Sequence, residues 1–373
     1  MDTVKVLVID NDIIGRRLFY NALQRIKEVE VRVLCDSEDP HAILNNEEFD
    51  IVLLGAESGR KPVNLDLKTV KQTYPALWVI STDERTKKGA ISIINAIEQG
   101  AVDFITKPAK HNSLLLANNH FEKRLKPIIE NVRRMKFSGS AGRSSIRPNI
   151  KLSRQRARMV VIGSSSEGIR TLATIFKKLP GNLAAPILVV QHFPKIFTRV
   201  LAERFNEMSE LRITEAYDGA QLESGTAWIV PGGMHAEVVR EDAGYSVRLH
   251  RGPRENEMRP SIDVTFRSVA RLFREHALGV ILDGYGLDGF AGVQSIKEFG
   301  GQILLQVPDH LFTKQLAEKI FEAGLADQVC TKEYLSWEIM KRTRLSHPKE
   351  KDFSATGSHT AFLEDNTTIL SPK

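Results

Sequence analysis

Three short segments of this chain each place a reactive side chain directly after an apolar run. The first is Met159-Val-Val-Ile162 followed by Gly163-Ser164-Ser165-Ser166-Glu167-Gly168. Small residues permit a tight turn there, so a serine hydroxyl would project beyond the strand end. Backbone N–H groups at the start of a following helix would face an oxyanion. Taken alone, a serine-rich turn is also an ordinary helix cap. The second segment is Ile187-Leu-Val-Val190 followed by Gln191-His192-Phe193-Pro194, which supplies an imidazole able to act as a general base near neutral pH. The chain has 10 histidines, so a structural imidazole is the competing reading. The third is Leu278 to Leu282 followed by Asp283-Gly284-Tyr285-Gly286-Leu287-Asp288-Gly289, a glycine-rich turn with two carboxylates. Either carboxylate could orient His192. A serine is a weak nucleophile until a base takes its proton, and a carboxylate fixes the tautomer of that base. Serine, histidine and carboxylate after three separate strands therefore point to acyl transfer. Backbone groups near Ser166, and in the turn at Gly284 and Tyr285, are the expected oxyanion donors. The order Ser, His, Asp differs from that of the α/β-hydrolases, where the acid precedes the histidine.

A second set of polar residues lies nearer the N-terminus. Asp10, Asn11 and Asp12 follow the apolar run Val4–Ile9, Ser81 follows Leu77–Ile80, and Lys107 follows Phe104–Ile105. In an open parallel sheet such positions converge on one crevice beyond the carboxyl ends of the strands.

These positions require a frame of alternating strands and helices. Apolar runs at 4–9, 29–34, 51–54, 77–80 and 104–105 alternate with helical periodicity, implying a parallel sheet flanked by helices. A helix over about 113–135 closes this part. The stretch 136–157 is rich in Ser, Gly and Arg and reads as a basic linker. Strands resume at 159–162, 187–190, 227–230, 247–249, 278–282 and 302–305, with helices near 168–178, 197–208, 261–275 and 289–298. The fold class expected is α/β, with two doubly wound parallel-sheet domains.

A length of 373 residues suits two domains, and 42% hydrophobic with 26% charged residues describes an ordinary globular chain. No apolar run is long enough to span a bilayer, so membrane insertion is not expected. Two cysteines, Cys35 and Cys330, leave no disulfide framework or zinc site and fit a reducing cytoplasm. The net charge of +6 permits acidic partners without demanding them.

The first part of the chain, residues 1–125, resembles the receiver domains of bacterial two-component signalling, a flavodoxin-type fold. The Asp10 opening and the Lys107-Pro108 segment carry that resemblance. It implies an acidic pair for magnesium, a phosphate-accepting aspartate after the third strand, and a Ser and Lys that read the phosphate. Here Gly55 stands at the acceptor position and Asn11 replaces one acid, a poorer metal ligand. Asp50 and Asp66 are not convincing substitutes. The expectation is a receiver-like fold that is not phosphorylated in the usual way and acts as a fixed or partner-controlled lid. Residues 126–157 form the helix end and basic linker, and 346–373 a polar tail expected to be disordered.

Residues 158–345 resemble chemotaxis protein-glutamate methylesterases, a Rossmann-like domain. The resemblance rests on Ile-Gly-x-Ser-x-x-Gly, Gln191-His192-x-Pro194 with Phe197-Thr198 and Ala202-Glu203-Arg204, and Pro231-Gly232-Gly233 with His235. Arg259-Pro260-Ser261-x-Asp263 and Gly284-x-Gly286-x-Asp288-Gly289 complete it. It implies hydrolysis of glutamyl methyl esters, and deamidation of glutamines, on chemoreceptor cytoplasmic helices. Ser165 is then the nucleophile, His192 the base and Asp288 the orienting acid, with no metal or organic cofactor needed and a signalling histidine kinase as a further partner. Asp283 falls where the family usually has Thr, which favours Asp288 as the acid. Glu167 replaces a glycine and opposes a developing oxyanion unless it points to solvent.

Two other classes of function compete. A catalytically impaired scaffold of a chemosensory pathway is favoured by Glu167 and Gly55. A receiver-linked DNA-binding regulator predicts a helix-turn-helix with a basic recognition helix, and none follows residue 158, so no nucleic-acid partner is expected.

Overall fold

The computed structural model describes residues 3–34, 38–55, 67, 73–74, 76–83, 86–107, 114–137, 155–284, 286–307 and 314–343. Cys35, Asp66, Pro108, Tyr285, most of the expected linker and all of the expected tail lie outside the described residues.

Strands β1 (Val4–Ile9), β2 (Val29–Val33), β3 (Ile51–Gly55), β4 (Leu77–Asp83) and β5 (Asp103–Lys107) form a parallel sheet ordered β2-β1-β3-β4-β5. This is the flavodoxin-like doubly wound order. The inner strands β1 and β3 are almost wholly buried apolar runs, as a sheet covered on both faces requires. Helices α1 (Ile13–Leu23), α2 (Pro40–Asn46), α3 (Lys87–Glu98) and α4 (Leu114–Phe137) accompany it. Asp12 is the N-cap of α1 and accepts from the N–H groups of Ile14 and Gly15, which accounts for one of the acidic residues after β1.

The second sheet has seven parallel strands, ordered β15-β14-β13-β6-β7-β10-β8. They are β6 (Met159–Ser164), β7 (Ile187–Gln191), β8 (Arg212–Glu215), β10 (Thr226–Ile229), β13 (Ala277–Ile281), β14 (Gln302–Gln306) and β15 (Gln328–Cys330). From β6 the chain builds outward through β7 to β10 and β8, then returns to add β13, β14 and β15 on the other side. The order thus reverses beside β6, the place where doubly wound sheets open a crevice. A three-stranded antiparallel sheet of β9 (Ala220–Gln221), β11 (His235–Glu241) and β12 (Gly244–His250) packs alongside. The helices of this half are α5 (Gly168–Lys178), α6 (Lys195–Met208), α7 (Ile262–Phe273), α8 (Phe290–Glu298), α9 (Lys314–Glu322) and α10 (Lys332–Thr343). One buried apolar cluster runs continuously from the first sheet, through Trp78 and Phe104, into Phe193, Phe197 and Phe205 of the second half. Among the described residues no helix is long and apolar enough to cross a membrane.

Candidate active site

Parallel pairing brings three turns together. Gly163 of β6 pairs with Ile281 of β13 and with Val190 of β7, and Ser164 pairs with Gln191. The turns are joined at their roots, because His192 N donates to Ser164 O at 3.1 Å and Leu282 N to Gly163 O at 3.1 Å. The residues after β6, β7 and β13 are those expected to carry the chemistry, and Ser165, His192, Asp283 and Asp288 all lie in this one region.

His192 and Asp288 form the first pair. His192 Nε2 lies 2.7 Å from Asp288 Oδ2, and both side chains are buried. Asp288 also accepts from Ser261 Oγ at 2.6 Å and from Ile262 N at 2.7 Å, so its carboxylate sits on the N-terminus of α7. Burial alone would raise its pKa, yet the hydrogen bond and charge of His192, with Ser261 and the Ile262 N–H, hold it below the usual carboxylate range. An ionised Asp288 keeps the proton on Nε2. His192 Nδ1, which has no hydrogen-bond partner in the structure, then presents a lone pair. Gly289, at φ +113°, gives the turn after Asp288 a backbone conformation that side-chain-bearing residues rarely adopt. Spacing alone leaves either acid available to His192 and the family resemblance favours Asp288, which is the acid bonded to it in the structure.

Asp283 takes the other role in the site. Its Oδ1 accepts from Ser165 N at 2.8 Å and its Oδ2 accepts a short hydrogen bond from Ser165 Oγ. Ser164 Oγ also donates to Oδ1, at 3.4 Å. Burial raises the pKa of this carboxyl against the lowering effect of its bonds from Ser165 and Gly168. The Ser165 hydroxyl, expected on the imidazole, is therefore bonded to Asp283. Glu167, at the N-cap position of α5, is 6% exposed and does not point into solvent. Ser166 gives its hydroxyl to Asp103 Oδ1 at 2.6 Å. Gly284 lies tight on α9, where a Cβ would come 2.8 Å from Leu316 Cδ2.

Sequence analysis places Ser261 and Asp263 in a family motif but gives them no role in holding Asp288 in place. Ser261 is the N-cap of α7, a position its type before an apolar period could have signalled. Asp263 accepts from Gly292 N at 2.6 Å and from Asn256 Nδ2 at 2.8 Å. Burial, with the charge of Asp288 beside it, pushes its carboxyl up to about 6.

The first sheet reaches this region through β5. Besides the Ser166–Asp103 bond, the Phe104 ring stacks on Phe197 at 5.1 Å and meets Phe193 edge-on at 5.0 Å. Arg204 of α6 donates to Asn95 at 2.8 Å and pairs with Glu98 of α3.

The receiver-like crevice assembles as its spacing predicts. Lys107 Nζ lies 2.8 Å from Asp10 Oδ2, and Ser81 Oγ donates to the same oxygen at 3.4 Å. Asn11 lies in the turn beside them. A Cβ on Gly55 would fall 2.5 Å from Asp10 Cγ, so the Asp10 carboxylate fills the space an acceptor side chain would need. A lone carboxylate already neutralised by lysine, beside an amide, does not fit the magnesium that receiver domains hold.

The family model described as CheB methylesterase matches residues 160–339. A protein-glutamate methylesterase/protein-glutamine glutaminase of Trichodesmium erythraeum is 34% identical, over 92% of this chain and 99% of its own length. One of the same description from Desulfotalea psychrophila is 30% identical, over 92% of this chain and all of its own. The solved catalytic domain of the Thermotoga maritima CheB methylesterase is 33% identical and covers 49% of this chain and 97% of its own, with a TM-score of 0.48. The two full-length relatives, each at least 30% identical over 92% of this chain, show that the chain belongs to the CheB family of protein-glutamate methylesterases.

Proposed function

We propose that this protein hydrolyses γ-glutamyl methyl esters, and deamidates glutamines, on the cytoplasmic helices of chemotaxis receptors, working in the cytoplasm. The observation that carries this reading is His192, fixed by Asp288 through Nε2 and open at Nδ1, at the strand end beside Ser165. Ser165 Oγ attacks the ester carbonyl as His192 takes its proton. The oxyanion is held by backbone N–H groups of the turn at Ser166 and of the turn at Gly284. His192 then protonates the departing methoxide, and methanol leaves. Water, activated by the same imidazole, cleaves the acyl-serine and returns a free carboxylate. For a glutamine the leaving group is ammonia. No step in this route calls on a metal or organic cofactor.

In this reading the first sheet is a cover rather than a phosphate switch. The Ser166–Asp103 bond and the Phe104 contacts place β5 against the residues beside the nucleophile and the base. Methanol release from methylated receptor by the full chain, with and without Ser165→Ala, tests the assignment. The substitution is expected to lower the rate by about three orders of magnitude or more. Activity that survives it would remove Ser165 as nucleophile. Phe104→Ala loosens the cover and is expected to raise the rate, whereas an unchanged rate would remove β5 from control of the site.

A further inference from the structure

The hydroxyl of Ser165 has one proton, and His192, whose charge acts on Asp283, stands on the neighbouring turn. That proton is given to Asp283 Oδ2, while His192 Nδ1 has no hydrogen-bond partner. The grip on the serine is double, because Ser165 N donates to the second oxygen of the same carboxylate at 2.8 Å. Asp283 is 3% exposed, so water does not compete for these bonds. Its place is built into the turn. Gly168 passes so close that a Cβ there would lie 2.1 Å from Ser164 Oγ and 2.5 Å from Asp283 Oδ1, so a side chain at 168 would displace one or both. The N-cap of α5 makes no side-chain hydrogen bond of its own, and Asp283 reaches in from the end of β13 to take those N–H groups.

We propose that Asp283 is a positioning residue that holds the Ser165 hydroxyl off His192 and so restrains the resting nucleophile. The inference rests on Ser165 being the nucleophile of the preceding section and adds what sets its basal rate. A serine that donates to Asp283 cannot donate to His192. Each turnover begins by giving up a charge-assisted hydrogen bond, which slows the attack by about 10- to 100-fold. The restraint acts on the step that makes the acyl-serine and leaves substrate binding untouched.

Asp283→Asn separates this role from simple helix capping. Asparagine Oδ1 keeps the bond from Ser165 N, while its Nδ2 can only donate, so the bond to Ser165 Oγ reverses and the hydroxyl proton is freed for His192. The experiment uses the full chain, Asp283→Asn and Asp283→Thr, with thermal melts to confirm folding. It measures kcat and KM on a p-nitrophenyl ester and the rate of Ser165 labelling by a fluorophosphonate. The expected result is a rise of about 10- to 100-fold in kcat and in labelling for Asp283→Asn, with KM unchanged. Asp283→Thr, which removes the charge and keeps a hydroxyl, is expected to move the same way. An unchanged kcat with a lowered melting temperature would make Asp283 only a cap and overturn the proposal. A fall in kcat and labelling would make it a base and overturn it equally. Labelling reads the serine itself, so failure of the methyl-ester reading is visible separately, as a full chain that labels at Ser165 yet releases no methanol from methylated receptor.

Discussion

Two crevices, one in each parallel sheet, are assembled from similar parts: a carboxylate, a hydroxyl and a basic group at the carboxyl ends of neighbouring strands. They differ in what is left unpaired. In the first, Asp10 takes Lys107 and Ser81 together and fills the space beside Gly55, so its charges close on one another. In the second, Asp288 and Ser261 fix only one face of His192 and leave its other nitrogen without a partner. Polar residues at strand ends are thus poor evidence of chemistry by themselves. The difference between neutralised packing and a working site lies in whether a reactive atom remains uncommitted.

The comparison is most severely tested at Asp288. Asp288→Asn keeps the shape but reverses the hydrogen bond that sets the imidazole tautomer, and kcat for ester hydrolysis is expected to fall about 10,000-fold. A loss below tenfold would equate this acid with those of the first crevice. Asp10→Ala takes the buried counter-ion away from the part-buried Lys107 and is expected to cost about 3 kcal/mol in urea unfolding, with ester hydrolysis per folded molecule unchanged. A large loss of hydrolysis would mean that the first crevice communicates with the second.

The third test concerns Asp263, which supports the second crevice. Its carboxyl, near 3.8 when unfolded, is pushed to about 6 in the fold, so between these values the folded state binds more protons. Stability from this group is therefore complete below pH 4 and is lost as pH rises through 6, by about 3 kcal/mol. Against Asp263→Asn, the full chain should lose that amount between pH 4 and 7 in paired unfolding curves, and parallel curves would remove Asp263 from the pH response. The smallest effect is expected at Lys123, whose 2.5 Å pair with Glu257 joins α4 to the loop before α7 with both side chains 69% exposed. Lys123→Ala should barely move the urea midpoint, and the difference should disappear in high salt.

Much of this organisation is legible in the sequence. Central strands of a covered parallel sheet are continuous apolar runs, and every such run from Val4 to Gln306 named above forms a strand. The same physics hides the rest. Strands β8, β11 and β15 lie at edges or in the side sheet and carry polar residues such as Arg212, Glu237 and Gln328. Helix α10 is not among the expected elements, because its packed face mixes Leu335 and Ile339 with Ser336, Glu338 and Arg342, the last two paired inside the fold. In the site, the residue types and strand ends could be named from spacing alone. The pairing of His192 with Asp288 is already favoured by the family motif, whereas the bond from Ser165 to Asp283 depends on the direction of a glycine turn and is supplied by the fold alone. The bond from Ser166 to Asp103 joins residues 63 positions apart and leaves no local trace.

The apolar cluster that runs from Trp78 through Phe104 to Phe205 has a consequence for how the molecule comes apart. Two sheets joined by one apolar cluster have no separate melting points to reveal: the ring of Phe104 packs against Phe193 and Phe197 of the second half. Heat should undo them in a single cooperative transition. Melts followed by near-UV and by far-UV circular dichroism should coincide, and two resolved transitions would separate the halves.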